Sequence, residues 1–317
     1  MSNGPCEDIA VLALNPTVDV NYEIPQLIAG KKVQATRTRY DPGGNGVNVA
    51  RALKELGQCS HCCCIVAGEI GGFLLGLMEQ RLSDVQYYRV EGETRINVTL
   101  SQNNPPEQFE IDAPGPEVTA SALQEISDCF LDCCKGGFGV LTGSIPPGVP
   151  LDVYGRLSAR IREQGGRAVV DAHGERLTHA LREHPFLIKL NRYEAEMLTG
   201  RQLATVADVA WEGRQLQRQG VDYVCISLAG EGAVLVDAKD SFYCPSPAIH
   251  VRSTVGAGDA MVAGLTVGFQ RGDEVSEVLR LGVACGAGAA AHSGTGLFTH
   301  DQVQELATGL EVQALGI

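Results

Sequence analysis

Basic residues are in short supply: 25 Lys and Arg stand against 38 Asp and Glu, a formal net charge of −13. No run of Lys and Arg offsets that balance, which argues against a nucleic-acid partner, since such binding rests on neutralising phosphates. No stretch of about 18 apolar residues occurs, so no membrane span is expected. The opening MSNGPCEDIA carries neither a basic nor an apolar leader region, and a cytoplasmic location is expected. Internal repeats, low-complexity tracts and flexible linkers are also missing. A P-loop is excluded because Gly30-Lys31-Lys32 lacks both the first glycine and the hydroxyl residue of that motif. Cysteine is not scarce, at 11 residues, yet no CxxC pair has a matching second pair and no histidines cluster at ligand spacing, so no zinc motif is read. The cysteines fall within expected strands and helices, Cys62-Cys63-Cys64 and Cys133-Cys134 among them, and a reduced intracellular chain is the expectation.

What is present is an ordinary globular composition: 317 residues, 44% hydrophobic and 20% charged, enough for one large α/β domain or two smaller ones. Short apolar runs at 9–14, 140–141, 167–170, 186–190 and 223–227 alternate with amphipathic stretches at 46–56, 151–164, 175–183, 193–198 and 206–219. That order predicts a mostly parallel sheet covered by helices on both faces, with ligands beyond the strand C-termini. Segments 18–40 and 87–111 alternate with period two and no helix between. They are expected to pair as a small separate sheet, either a lid over the sheet edge or a plain β-extension.

The chemistry concentrates in glycine turns that open helices. Ser253-Thr254-Val255-Gly256-Ala257-Gly258-Asp259 leads into a small-residue helix. Free amides and the positive helix end favour an anion there, and Asp259 is placed to take a proton from a hydroxyl beside it or simply to cap the helix. Asp41-Pro42-Gly43-Gly44-Asn45-Gly46-Val47-Asn48 opens a second helix with amides suited to a polyhydroxylated or phosphorylated ligand. Asp19 follows the first strand, as a hydroxyl acceptor or a turn residue. In Lys189-Leu190-Asn191-Arg192-Tyr193-Glu194, Asn191 and Glu194 lie three apart and either hold a hydrated Mg²⁺ or form a capping box. Ser227-Leu228-Ala229-Gly230-Glu231-Gly232 joins two short strands as a nucleotide-side loop or a hairpin.

In their order along the chain, Asn-Pro-x-x-Asp, Gly-Gly-Asn-Gly-x-Asn-x-Ala, Thr-Arg, Gly-Ser-x-Pro-Pro-Gly, Lys-x-Asn-x-x-Glu and Thr-Val-Gly-Ala-Gly-Asp resemble the ribokinase/PfkB carbohydrate kinases. Gly143-Ser144-Ile145-Pro146-Pro147-Gly148 and Ala113-Pro114-Gly115-Pro116 resemble the phosphosugar branch of that family. The resemblance implies a single ribokinase-like domain over 1–317: a three-layer α/β fold, mostly parallel, with the lid at 18–40 and 87–111. It implies an ATP- and Mg²⁺-dependent kinase that converts a ketohexose monophosphate to a bisphosphate. Fructose 1-phosphate is the first expectation, on Glu93-Thr94-Arg95-Ile96-Asn97-Val98, with fructose 6-phosphate and tagatose 6-phosphate as alternatives. Asp259 would be the base and the amides of Gly256, Ala257 and Gly258 the anion hole. Asp19, Gly43, Gly44 and Asn48 would hold the sugar, and Lys31, Arg95 and Ser144 its phosphate. Lys189, Asn191, Ser227, Gly232 and Thr254 would surround ATP, with Asn191 and Glu194 on Mg²⁺. A homodimer through the lid is implied as well. Two positions depart from the family pattern: Leu190 replaces a proline and Ala229 a glycine.

Two other classes compete with this reading. Gly286-Ala287-Gly288-Ala289-Ala290-Ala291 fits the dinucleotide pattern G-x-G-x-x-A, as in an NAD-dependent dehydrogenase, but lies inside a helical stretch and follows no strand. A non-catalytic sugar-phosphate sensor would use the same scaffold without turnover, which the retained Asp259 and its glycines argue against.

Overall fold

The computed structural model describes residues 9–292, 294 and 296–316. Its strands in chain order are β1 (Ile9–Ala13), β2 (Thr17–Ile24), β3 (Arg37–Gly43), β4 (His61–Ala67), β5 (Asp84–Val90), β6 (Arg95–Asn103), β7 (Pro106–Ile111), β8 (Phe138–Thr142), β9 (Arg167–Asp171), β10 (Leu187–Asn191), β11 (Tyr223–Ser227), β12 (Ala233–Val236), β13 (Ser241–Cys244) and β14 (Gln313–Ala314). Ten of them form one sheet in the order β14-β13-β12-β11-β10-β9-β8-β1-β4-β5. From β11 to β5 every neighbouring pair is parallel, and β12, β13 and β14 extend the sheet antiparallel.

The central strands are apolar without alternation because both faces are covered; all five residues of β1 and of β8 are buried. On one face Val11, Cys62, Cys64 and Val140 pack with the helices Asn45–Glu55, Ala257–Arg271 and Val275–Ala290. On the other, Leu12, Cys63, Leu141 and Ile188 pack with Ala120–Cys134, Val153–Glu163 and Val206–Gln217. The three-layer α/β architecture expected from the sequence is therefore present.

The small sheet is β3-β2-β6-β7, with β2 and β6 parallel. It differs from the expected lid at two places. Residues 87–90 belong to β5, the edge of the large sheet, where Cys64 to Ala67 pair with Tyr87 to Val90. The small sheet instead extends from Thr17 to Gly43 on its first side. An edge strand with one open face alternates as a lid strand does, so periodicity could not assign 87–90 to the right sheet. Among the described residues no helix is long and apolar enough to cross a membrane. Among the described residues nine cysteines are free thiols, but Cys59 is disulfide-bonded, which departs from the expectation of a reduced chain.

The helices Ala257–Arg271 and Val275–Ala290 cross at backbone contact. A Cβ at Gly264 would lie 2.8 Å from Cys285 Sγ and 3.0 Å from Gly282 Cα. Gly286, in the run that fits a dinucleotide pattern, faces the Ala257 carbonyl, 3.2 Å from where its Cβ would stand. That run is a packing surface for the helix that begins at the 256–259 turn. Gly264→Val should force the pair apart and destabilise the fold by about 1–3 kcal/mol, read as a lower urea midpoint.

Candidate active site

Two helices begin side by side at the C-terminal edge of the large sheet. The helix Asn45–Glu55 starts after Gly44 (φ 91°) and Ala257–Arg271 after Gly256 (φ 77°), a backbone region L-residues rarely adopt. Asp259 lies in the first turn of the second helix, buried, and the first helix supplies its partners. Asn45 Nδ2 donates to Asp259 Oδ1 and Asn48 Nδ2 to Asp259 Oδ2, each at 2.9 Å. Burial raises the Asp259 pKa to about 6, with Asp171 adding to the rise, while the two amides and Lys189 oppose it.

Lys189, in the middle of β10, forms an ion pair with Asp171, its partner at the end of β9, Nζ to Oδ1 3.2 Å. Thr142 Oγ1 donates to the other Asp171 oxygen at 3.1 Å. Burial works against the Lys189 charge, yet Asp171, Glu194 and Asp259 outweigh it and hold its pKa above the usual lysine value. The ammonium stands against the 256–259 turn: a Cβ on Gly258 would be 2.7 Å from Nζ. Helix amides and a fixed cation thus face one point, an arrangement suited to phosphate.

The turn separates two cavities. One, of about 740 Å³, is polar and lined by Asp19, Gly44, Asn48, Arg95, Ser144 and Asp259. The other, of about 620 Å³, is bordered by Lys189, Asn191, Ser227, Gly232 and Thr254 over an apolar floor of Met261, Val283 and Ala287. Gly256 borders the first, and Ala257 and Gly258 the second. A carboxylate with a near-neutral pKa therefore sits between a site for a polar molecule and a site for one with a flat apolar part.

Residues 7–302 match the family described as pfkB family carbohydrate kinase. The chain belongs to that family. It is 31% identical to 1-phosphofructokinase of Bacillus subtilis (strain 168), covering 97% of this chain and 100% of the relative. It is also 31% identical to ATP-dependent 6-phosphofructokinase isozyme 2 of Escherichia coli (strain K12), over 94% of this chain and 97% of the relative. A crystal structure of phosphofructokinase-2 from Escherichia coli in complex with substrates and products superposes with a TM-score of 0.90 at 31% identity, covering 95% and 98% of the two chains. As a pfkB kinase the protein uses ATP as its phosphoryl donor.

Most residues singled out in the sequence converge on these cavities, with exceptions. Lys31 lies exposed on the loop between β2 and β3 and lines neither cavity. Gly43 lies beneath the site: a Cβ there would be 2.0 Å from Asp19 Oδ2, so glycine makes room for that carboxylate. Burial raises the Asp19 pKa to about 7, opposed by Arg95 and Arg51. Arg95 is buried, donating from Nε to the Asn15 carbonyl at 3.0 Å and from Nη1 to that of Ala113 at 3.3 Å. Its neighbours fix it further. Glu93 accepts from the amides of Glu69 and Ile70, and Thr94 Oγ1 accepts from Ala67 N.

The capping box at Asn191 and Glu194 is formed in full. Asn191 Oδ1 accepts from Glu194 N at 2.8 Å, and Glu194 Oε2 accepts from Asn191 N at 2.7 Å. The side-chain oxygen of Asn191 is thereby occupied by the cap rather than turned to a metal. Leu190, in place of the family's proline, is a buried strand residue in register with Ile226. Asn45 and Asp171 also belong to the site, although no sequence motif marks their roles. Asn45 lay inside the glycine-asparagine loop and Asp171 ended an apolar run, a strand-end carboxylate whose meaning depends on Lys189 one strand away.

Ala229, in place of a glycine, opens a single 3₁₀ turn at the cavity wall with φ 51°. Ala229→Gly should relieve that strain and raise stability by about 0.5–1 kcal/mol, seen as a higher urea midpoint with an unchanged slope.

Proposed function

We propose that this kinase is a 1-phosphofructokinase, transferring the γ-phosphoryl group of ATP to the free primary hydroxyl of fructose 1-phosphate to give fructose 1,6-bisphosphate and ADP. The observation that carries phosphoryl transfer is the buried Asp259 carboxylate, with a pKa near 6, on the turn between the two cavities, and the full-length similarity to a 1-phosphofructokinase supports the choice of sugar. In the proposed reaction Asp259 takes the hydroxyl proton as that oxygen forms its bond to the γ-phosphorus. The bond from that phosphorus to the ADP oxygen breaks, and ADP leaves with the electron pair. The amides of residues 256–258 and the Lys189 ammonium face the charge that develops on the transferring group. ATP would lie with its base over Met261, Val283 and Ala287.

The oxygen donors at the junction suit Mg²⁺, with the Glu194 oxygen outside the cap, Oε1, as the principal contact reached through water, while Glu194 Oε2 and Asn191 Oδ1 serve the cap. Bound there, Mg²⁺ would offset charge on the triphosphate. Asp19, Gly44 and Asn48 fit the sugar, and Arg95 and Ser144 its existing phosphate; Lys31 is left out of that set. The small sheet carries exposed Tyr40, Ile96, Phe109 and Ile111, which supports a homodimer through the lid. A cytoplasmic site of action fits a substrate pair of ATP and a sugar phosphate.

The equal identity to a 6-phosphofructokinase keeps fructose 6-phosphate as a second reading. ADP release with Mg-ATP is to be compared across fructose 1-phosphate, fructose 6-phosphate, tagatose 6-phosphate and fructose. The expected result is a kcat/KM for fructose 1-phosphate at least about tenfold above the rest. A preference for fructose 6-phosphate would replace the first reading with the second, and ligand binding without ATP consumption would indicate a sensor. Asp259→Asn should lower kcat by a factor on the order of 10²–10⁴ while KM changes little. Arg95→Ala should raise KM for the sugar phosphate about tenfold or more and leave KM for ATP nearly unchanged; equal effects on both would refute its placement.

A further inference from the structure

The three consecutive cysteines of β4 point alternately to the two faces of the large sheet. Cys62 and Cys64 enter the core under the helices Asn45–Glu55 and Ala257–Arg271, whereas Cys63 enters the opposite core, under Ala120–Cys134. That helix carries Cys129 and Cys133, one turn apart on the same face and only half-buried. The sulfurs of Cys63, Cys129 and Cys133 all lie within 4.8 Å of one another. All three are free thiols. The spacing in sequence matches no zinc motif, because one ligand comes from a strand and two from a helix 66 residues further on.

We propose that Cys63, Cys129 and Cys133 form a binding site for one thiophilic metal ion of the zinc class. Three sulfurs around a tetrahedral ion with bonds of about 2.3 Å stand about 3.8 Å apart, so the thiols need to close by no more than about 1 Å, within reach of χ1 adjustment. Soft sulfur donors select zinc or copper(I) over the hard Mg²⁺ of the proposed nucleotide site. Cys63 forms the dry floor, and the half-buried Cys129 and Cys133 leave a way in from solvent and a fourth position for water. As three metal–sulfur bonds form, three thiol protons pass to the buffer. The ion would tie the helix Ala120–Cys134 to β4 and stabilise the folded state by linkage.

The test is an anaerobic titration of the full, reduced chain with Co²⁺, followed by Zn²⁺. The expected result is one equivalent of Co²⁺ with sulfur-to-cobalt charge-transfer and tetrahedral ligand-field bands, displaced by one equivalent of Zn²⁺. Cys59→Ser, whose thiol is freed on reduction and lies outside the triad, should bind as the parent does. Cys129→Ser and Cys133→Ser, both at half-buried positions and checked for wild-type folding by circular dichroism, should lose the bands or bind at least about tenfold more weakly. Absence of bands in the parent chain would overturn the proposal. So would bands of unchanged intensity and affinity in both folded serine variants.

Discussion

The Asp259 carboxylate is a buried acid held by two asparagine amides at the first turn of a helix, and the surrounding architecture keeps it there. A carboxylate removed from water takes up a proton unless donors and cations offset the lost hydration. Here Asn45, Asn48 and Lys189 offset part of it, and the balance leaves the group near pH 6. That is low enough to be ionised at neutral pH and high enough to accept a proton from a hydroxyl that is being attacked. The balance requires two helix starts to lie against each other. That in turn requires positive-φ glycines at 44 and 256 and close packing at Gly264 and Gly286.

Charge across the site is arranged around this carboxylate rather than against it. Lys189 is the cation that borders the second cavity beside the 256–259 turn, and its own charge is secured by Asp171 on the neighbouring strand, itself tied by Thr142. Arg95 commits two of its N–H groups to backbone carbonyls, which leaves the remaining donors of its guanidinium for a ligand in a fixed orientation. A buried arginine pinned in this way discriminates by position more than by net charge, which fits recognition of one phosphate in a cavity that also contains several acids.

Much of this was legible in the sequence, for reasons tied to particular segments. Strands buried on both faces read as continuous apolar runs, so β1, β8, β9, β10 and β11 declared a parallel sheet. Glycine turns before helices marked Asp259 and Asn48. What stayed hidden depended on neighbours distant in sequence. Residues 87–90 alternate like a lid strand but pair with β4. Asp171 gains meaning only beside Lys189, and Asn45 only beside Asp259. The choice between capping box and metal ligand at Asn191 turns on a side-chain rotation that composition does not encode. The Cys63, Cys129 and Cys133 cluster exists only once a strand and a helix are packed.

The most direct test of the account is the pH dependence of kcat/KM for the preferred sugar phosphate, measured in parallel for the wild type and Asn45→Ala. A protonated Asp259 cannot accept the hydroxyl proton, so kcat/KM should fall as pH drops through about 6. The second ionisation of a sugar phosphate lies in the same range, as for other phosphate esters, at about 6. Removing Asn45 takes away a hydrogen bond that favours the ionised carboxylate, so in the variant the acidic limb should move to higher pH. A limb that stays at the same pH in both proteins would belong to the substrate and would contradict Asp259 as the base.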